Sequence, residues 1–193
     1  SPQYSDAVIR CQGQEFTVHR LVLCTQSKYF ANAFNGDWKE SANRTIELND
    51  DDVSVVEAML HFMYRFDYDD NAHGQVSPAV FNAKVYSLAD KYDLSALKLH
   101  AKEKFDKAVE NCWSADDFPH VISEVYSSTP ATDRGLRNVV MRVVYEHLDL
   151  LLEKQEFTNM LEETTGFAAD VTGHLAKDRR GLKEYRCSGC GFS

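Results

Sequence analysis

The sequence predicts an α+β unit followed by an all-helical segment, and three observations lead to that class. Two short β-prone runs, 7–11 and 15–18, are separated by Gln12-Gly13-Gln14, a spacing typical of a β-hairpin. From Asp50 onward the apolar residues recur three or four apart, which is the period of a helix. Beyond residue 110 the chain keeps that period throughout, so no further sheet is expected there.

The first third of the chain is predicted to mix short strands with short helices. Helical patterning begins at His19, where Leu21 and Leu23 recur as apolar positions, and both leucines are expected to face the core. Residues 44–48 alternate apolar residues such as Ile46 with polar neighbours, as a half-buried strand does.

Three longer helices complete this half. Asp50-Asp51-Asp52 suits the positive N-terminal end of the first, and Ser77-Pro78 offers an N-cap and a first-turn proline for the second. The apolar stripes of the three helices contain Val53, Val56, Leu60, Met63 and Tyr64, then Phe81, Val85 and Leu88, then Leu94, Leu97, Ala101 and Phe105.

The second half is predicted to consist of helices alone. Pro130 ends the first of them, because a proline cannot continue a helix. The apolar residues that recur at helical spacing in this half are Phe118, Val121, Ile122, Val125, Leu136, Val140, Val144, Leu148, Leu151, Phe157, Met160, Leu161, Phe167, Val171 and Leu175.

Composition places the chain among soluble, acidic, globular proteins. Its 193 residues are 44% hydrophobic and 26% charged, which is ordinary globular usage and excludes wholesale disorder. The net charge of -9 repels phosphate backbones, so nucleic-acid binding by this segment is not expected. No apolar run approaches the roughly 18 residues of a membrane span, and an odd count of 5 cysteines favours a reducing compartment. We therefore expect an intracellular protein of the cytoplasm or nucleus without membrane contact.

An ordered set of residues in the first half carries a family resemblance. Its members are Asp6-Ala7-Val8-Ile9, Phe16, His19-Arg20, Leu23, Ser27, Phe30, Phe34, Thr45-Ile46-Glu47-Leu48 and the run from Met59 to Tyr64-Arg65-Phe66. Together they resemble the BTB/POZ domain. The residues that follow are similar to the helical, BACK-like extension found after this domain in many such proteins, especially fungal ones. On this basis the chain divides into a BTB/POZ domain at 4–109, a helical extension at 110–176 and a basic tail at 177–193.

The resemblance implies a small β-sheet flanked by a helical bundle, used to bind other proteins and usually to self-associate. A homodimer without enzymatic activity is therefore expected. Only Ser1–Ser5 precede the matched pattern that starts at Asp6, so we expect the N-terminal helix and strand that zinc-finger members exchange in their dimers to be missing. A dimer through the first helices and a monomer both stay open.

The resemblance also implies a charged pocket near the self-association surface, containing Asp6, His19 and Arg20. From the residues alone, Asp6 and Arg20 either form a partly buried structural pair or are unrelated surface charges, which contribute little to stability. His19 is expected to be a hydrogen-bonded residue at a helix start.

Trp38-Lys39-Glu40 resembles the hydrophobic-x-Glu element through which some BTB proteins engage the cullin-3 ubiquitin-ligase scaffold. An exposed aromatic anchor beside an acceptor carboxylate is the chemistry expected of an interface hot spot. The resemblance thus implies a substrate-adaptor function. The alternative is that Trp38 folds back onto the core, as tryptophans in large part do.

Cys187 and Cys190 form a C-x-x-C knuckle, which is half of a zinc ribbon. A closed zinc site needs four soft ligands, so the site is incomplete unless further chain, a second chain or other residues such as Cys112 complete it. The alternative is a tail with two free thiols. A zinc module there predicts a second function, in which this chain is the oligomerising arm of a transcription or chromatin regulator.

Enzymatic chemistry finds little support in the sequence. Neither a G-x-x-x-x-G-K-[ST] loop nor a G-x-G-x-x-G loop is present, so nothing predicts a nucleotide-phosphate cradle. Cys24 lies near His19, but no third group is identifiable that would orient them as nucleophile and base. Apart from the zinc at the C-x-x-C knuckle, no cofactor is expected.

Overall fold

The structure is a computed structural model that describes residues 4–35, 44–71 and 76–181, with side chains through residue 177. Its strands in that part are β1 (Ala7–Cys11), β2 (Gln14–Val18) and β3 (Thr45–Glu47). Its helices there are α1 (Arg20–Gln26), α2 (Lys28–Asn35), α3 (Val53–Arg65), α4 (Pro78–Lys91), α5 (Ser95–Cys112), α6 (Phe118–Ser128), α7 (Gly135–Glu146), α8 (Leu148–Leu152), α9 (Gln155–Glu163) and α10 (Thr165–Gly181). The predicted fold class, an α+β core followed by helices, is confirmed.

The sheet is small and mixed, with the strand order β2-β1-β3. β1 and β2 form the predicted antiparallel hairpin, in which Cys11 pairs with Gln14 across a turn of Gln12 and Gly13. Both turn residues have positive φ angles, 47° and 87°, as a type I′ hairpin turn requires. β3 pairs with β1 in parallel, so the chain crosses over through α1 and α2 before it returns to the sheet.

One face of the sheet belongs to the core and the other carries charge. Ala7, Ile9 and Cys11 alternate as buried residues along β1. Arg10 lies on the opposite face, where its Nε donates to Glu15 at 2.7 Å. This alternation with a period of two residues fixes which side of the hairpin packs against the helices.

Local capping chemistry sets the ends of the longer helices. The Asp52 carboxylate accepts a hydrogen bond from the Ser54 backbone N–H at 2.9 Å and begins α3. The Ser77 hydroxyl does the same for Val80 at 3.5 Å and begins α4. Both starts agree with the prediction. α3 ends at Arg65, and the next residue, Phe66, caps it in a left-handed conformation.

The helical extension packs directly onto the first half of the chain. Buried apolar residues of both halves form one continuous core, in which α6 packs against α4 and α7 against α5. The fully buried residues that the extension contributes are Phe118, Val121, Ile122, Val125, Leu136, Val140, Phe157 and Phe167. The division expected between residues 109 and 110 falls inside the last turn of α5, and it stays a prediction.

The prediction that Leu21 faces the core is wrong, and Tyr64 and Leu175 of the predicted apolar stripes are also exposed, at 42% and 39%. Leu21 is 75% exposed, whereas Leu23 is fully buried. Residues two positions apart point about 200° apart around a helix, so both cannot face the same core. Since α1 lies at the edge of the core, it buries the stripe that contains Leu23 and presents Leu21 to solvent.

Candidate interaction surface

The start of α1 is held by a carboxylate from outside the helix. His19 occupies the N-cap position, but its side chain makes no capping hydrogen bond. Instead, Asp6 Oδ1 accepts a hydrogen bond from the Arg20 backbone N–H at 2.8 Å. Asp6 thus contacts Arg20 through the backbone N–H, and the charged pocket that the resemblance implies stays a prediction. A carboxylate at a helix N-terminus stabilises it by about 1 kcal/mol, because it accepts from an otherwise unpaired donor.

The guanidinium of Arg20 reaches in another direction, toward the end of α2. Its Nη2 donates to the Phe34 carbonyl and to Asn35 Oδ1, each at 3.1 Å. The Cζ atom also lies 5.5 Å from the centre of the Phe34 ring. A cation among the last carbonyls of a helix is favourable, so Arg20 ties the first turn of α1 to the C-terminal end of α2.

His19 joins α1 to α3 through Tyr64. The His19 backbone N–H donates to the Tyr64 hydroxyl at 2.8 Å, and the ring nitrogen Nδ1 lies 2.9 Å from the same oxygen. The two rings meet edge to face with centroids 5.8 Å apart. Burial raises the pKa of the Tyr64 hydroxyl, so the group stays protonated and can serve both contacts. The expectation for the His19 side chain, a hydrogen-bonded residue at a helix start, agrees with this geometry. The sequence analysis named Tyr64 as part of the family resemblance but did not predict its contact with His19.

Apolar side chains are exposed around this fixed helix start. Leu21 is 75% exposed, Tyr64 is 42% exposed, and Tyr4, two residues before Asp6, is 84% exposed. We refer to Tyr4, Leu21 and Tyr64 as the α1 surface. A further contact holds the other end of α1 against α3, because the Gln26 side-chain Nε2 donates to the Met63 carbonyl at 2.8 Å.

A second surface feature lies where the core meets the extension. A groove of about 220 Å³ lies between α4, α6 and the start of α3, and the polar residues that line it include Lys84, Lys91, Glu124, Ser128, Asp50, Asp51 and Asp52. Lys91 pairs with Asp51 at 2.7 Å across it. We refer to it as the seam groove. Ser87 also lines the groove and links α4 to α6, since its hydroxyl donates to the Ser128 carbonyl at 2.9 Å.

A polar network fixes the segment after α3. Asp67 contacts His100 Nε2 at 2.9 Å and Lys104 at 3.0 Å. The hydrogen bonds from His100 and Lys104 lower the pKa of the Asp67 carboxyl to about 2. A pocket of about 610 Å³ lies beside these groups, and four of the residues that line it, Asp67, Asp70, His100 and Lys104, are already paired with one another. The network therefore supports a structural role.

The cysteines of the described part are poorly suited to nucleophilic chemistry. Burial raises the pKa of the Cys11 and Cys24 thiols, and it raises the pKa of Cys112 to about 11. The thiols are therefore protonated near neutral pH, whereas the thiolate is the reactive form. Cys24 points to the Phe30 carbonyl at 3.8 Å, and the Nδ1 atom of His19 contacts Tyr64.

Two sets of predicted site residues lie outside the described residues. These are Trp38, Lys39 and Glu40, proposed for cullin contact, and Cys187 and Cys190, proposed for zinc. Among the residues that the structure does describe, no group of three or more His, Cys, Asp or Glu side chains is placed to hold a metal ion. Within the same residues, no helix is long and apolar enough to cross a membrane.

The comparison with known families agrees with this architecture. The sequence profile of the BTB/POZ domain matches residues 1–109, more than half of the chain. The protein therefore belongs to the BTB/POZ domain family, whose domains are non-enzymatic protein-interaction modules.

The chain is similar to several longer proteins. Kelch repeat and BTB domain-containing protein 4 of Homo sapiens is 32% identical over 132 residues, which cover 65% of this chain and 23% of that protein. BTB/POZ and MATH domain-containing protein 5 of Arabidopsis thaliana is 26% identical over 196 residues, which cover 94% of this chain and 45% of that protein. The solved BTB domain of human gigaxonin is 23% identical with a TM-score of 0.43, over 52% of this chain and 77% of that one. The chain spans less than half the length of these two curated relatives.

Proposed function

We propose that this chain is a protein-interaction module that self-associates through the α1 surface and recruits a partner through the seam groove and through the segment 38–40. The observation that carries the proposal is Leu21, a leucine that is 75% exposed on a helix whose start is fixed by polar contacts. A preorganised apolar side chain loses little conformational freedom when a partner covers it, so its burial is available for binding. The cytoplasm or nucleus is the compartment that we propose for this activity.

Self-association is tested with Leu21→Asp in light scattering over a concentration series. We expect the wild-type chain to form dimers and the variant to stay monomeric, because a carboxylate buried at the centre of an interface lacks a counter-charge. Leu21 is exposed in the single chain, so the variant is expected to keep the thermal stability of the wild-type monomer.

Leu99→Asp is the matched control. Leu99 is 59% exposed on α5, outside the α1 surface. Its replacement by aspartate therefore adds the same negative charge at an exposed leucine elsewhere on the protein. A wild-type chain that stays monomeric at all concentrations would contradict the proposal. Equal loss of dimer in both variants would do so too, since a general effect of charge would then explain it.

The N-terminal helices of cullin-3 are the partner that we propose for the second face. Support comes from Trp38-Lys39-Glu40, which supplies an aromatic anchor and an acceptor carboxylate. The seam groove supports it as well, because Lys84, Asp50 and Glu124 in its lining offer charged groups of both signs to a helix laid across it. Trp38→Ala combined with Glu40→Ala is expected to abolish binding in calorimetry. Retention of wild-type affinity, or no association of the unmodified chain, would sink this assignment.

A second candidate function rests on Cys187 and Cys190. If they belong to a zinc module, the chain serves as the oligomerising arm of a transcription or chromatin regulator. Metal analysis of a longer chain tests this, with one zinc per module expected and Cys187→Ser with Cys190→Ser as the metal-free control. Absence of stoichiometric zinc would leave the adaptor function as the better assignment.

A further inference from the structure

A pocket of about 530 Å³ lies within the helical extension, between α6 and the junction of α9 with α10. Side chains that can donate hydrogen bonds line much of it, among them Ser123, Arg137, Thr164 and Thr165. It has only Glu124 in common with the seam groove, and it shares no residue with the α1 surface. The proposed function therefore leaves this pocket without a role.

Arg137 is the buried cation of this pocket. It is only 6% exposed, and its Nε donates to the Thr129 hydroxyl at 3.1 Å while Nη2 donates to the carbonyls of Tyr126 and Thr129. The Cζ atom lies 4.4 Å above the Tyr126 ring. All of these partners are uncharged, and no carboxylate of the described residues lies within 4.0 Å of the guanidinium. The Asp170 carboxylate, which is bonded to Tyr126 and Arg134, attracts Arg137 without direct contact. A buried arginine without a carboxylate in direct contact is unusual, because its desolvation is costly.

The remaining guanidinium nitrogen, Nη1, is an unused donor. It has no hydrogen bond to any described residue. It is not sealed inside the protein either, because the fully buried side-chain nitrogen and oxygen atoms without a partner in the described part are Arg20 Nε and Ser128 Oγ. Arg137 thus presents an unused, positively charged donor to the cavity that it lines.

The start of α10 supplies further donors on the other side. The Thr164 carbonyl accepts from the N–H groups of Phe167 and Ala168, at 2.9 Å and 3.1 Å. The N–H groups of Thr165 and Gly166 make no hydrogen bond to described residues, as expected for the first turn of a helix. The Tyr126 ring links the two sides, because it lies under Arg137 and its centroid is 5.3 Å from that of Phe167.

We propose that this pocket binds a phosphate-type oxyanion, free or as a monoester on a larger molecule, between Arg137 Nη1 and the N–H groups of Thr165 and Gly166. Arginine and a helix N-terminus are each suited to phosphate, the first through charge-assisted hydrogen bonds and the second through free N–H groups and its dipole. Glu124 and Glu163 also line the pocket, and their negative charges oppose the ligand. They limit the affinity, so neutralising Glu163 strengthens binding.

The test is an NMR titration of the isotope-labelled full chain with inorganic phosphate. A phosphoserine peptide and its unphosphorylated form are titrated in parallel. We expect saturable shifts of the Gly166 amide and of the Arg137 Nε signal with the phosphate probes and none with the unphosphorylated peptide. Saturation by inorganic phosphate alone, or by the phosphopeptide alone, supports the site and identifies the source of the oxyanion.

Thr165→Pro is the deciding variant, because replacement of Arg137 could unfold a buried network. Proline is tolerated at the first position of a helix, and the preceding Thr164 already has a non-helical backbone, with φ -101° and ψ 75°. The substitution removes an unbonded N–H, so we expect normal folding and affinity lower by about tenfold, the value of one charge-assisted hydrogen bond. Glu163→Gln is expected to bind more tightly than the wild type.

Arg142→Gln is the matched charge control. Arg142 lies on the same helix as Arg137 but is 40% exposed and paired with Asp106. It is expected to leave phosphate affinity within about twofold, since exposed charges are screened. The proposal is overturned by shifts that do not saturate, by wild-type affinity in a folded Thr165→Pro variant, or by equal weakening in Arg142→Gln.

Discussion

Gly135 lies so close to Tyr86 that a Cβ atom on the glycine would stand 2.0 Å from the tyrosine hydroxyl oxygen. This contact joins the helical extension to the core, because Gly135 begins α7 and Tyr86 is buried on α4. The same hydroxyl donates to Asp133 Oδ1 at 2.8 Å. Asp133 also accepts from the Gly135 N–H at 2.9 Å and pairs with Lys98 of α5 at 2.6 Å. One carboxylate thus gathers groups from three helices at the joint.

Gly135→Ala is expected to destabilise the protein by about 1–3 kcal/mol, the usual cost of overpacking a filled site. The added methyl group must displace the Tyr86 hydroxyl and with it the hydrogen bond to Asp133. Urea denaturation measures the difference.

Gly173→Ala is the control for this substitution. A Cβ at Gly173 meets nothing within 4 Å, and the residue lies inside α10. Alanine there is expected to be neutral or to stabilise by up to about 1 kcal/mol, because it lowers the entropy of the unfolded chain. Equal effects of both substitutions would show that the close approach to Tyr86 has no energetic consequence.

Asp133 makes the joint sensitive to acid. Burial opposes ionisation of this carboxyl, but hydrogen bonds from Lys98, Gly135 and Tyr86 outweigh burial and hold its pKa below the ordinary value of 3.8. A pKa that folding lowers gives stabilisation above the pKa of the unfolded chain, and this is lost as pH falls through the folded value. We expect Asp133→Asn to cost about 1–3 kcal/mol at neutral pH, and the difference from the wild type to shrink below pH 3.8.

Asp116→Asn controls for the change of charge, since the Asp116 side chain is 98% exposed. It is expected to leave both the stability and its dependence on pH close to the wild type. Denaturation at a series of pH values checks both variants. A constant difference between Asp133→Asn and the wild type across the acid range would contradict the proposed linkage.

The features that sequence predicted well are those with a local cause. Gly13 marks the hairpin because its φ of 87° suits glycine, and Ser77-Pro78 marks the start of α4 because cap and first-turn chemistry involve only neighbouring residues. Leu21 shows the limit of periodicity, which gives the spacing of apolar residues but not which stripe of a short helix meets the core.

The candidate sites depend on contacts that span long stretches of chain. Asp6 and Arg20 were grouped by their similarity to a family, but only the fold shows that the carboxylate caps α1 through the backbone. Tyr64 lies 45 residues from His19, and the partners of Arg137 include carbonyl groups that no side-chain pattern encodes. Such contacts could not be read from composition or spacing.

Tyr64→Phe tests the link between α3 and the start of α1. The substitution removes the hydroxyl that accepts from the His19 N–H at 2.8 Å, and the unpaired donor is expected to cost about 1 kcal/mol. Amide hydrogen exchange at His19 is expected to accelerate, because its protecting acceptor is gone. Tyr29→Phe is the control, since Tyr29 is 40% exposed and its hydroxyl makes no hydrogen bond to the described residues. Unchanged exchange at His19 in the Tyr64 variant would contradict this account.

Phe66 caps the end of α3 in the left-handed region with φ 59° and ψ 21°, where bulky side chains are rare. Its ring is 69% exposed, so packing against Phe62 recovers little of the backbone strain. Both Phe66→Gly and Phe66→Ala remove the ring, and only glycine also removes the penalty for a Cβ in this conformation. We therefore expect the free energy of unfolding of the glycine variant to be about 1 kcal/mol larger than that of the alanine variant. It is also expected to be at least as large as that of the wild type. Chemical denaturation of the three chains measures this, and an alanine variant as stable as the glycine variant would show that the left-handed conformation at Phe66 carries no strain.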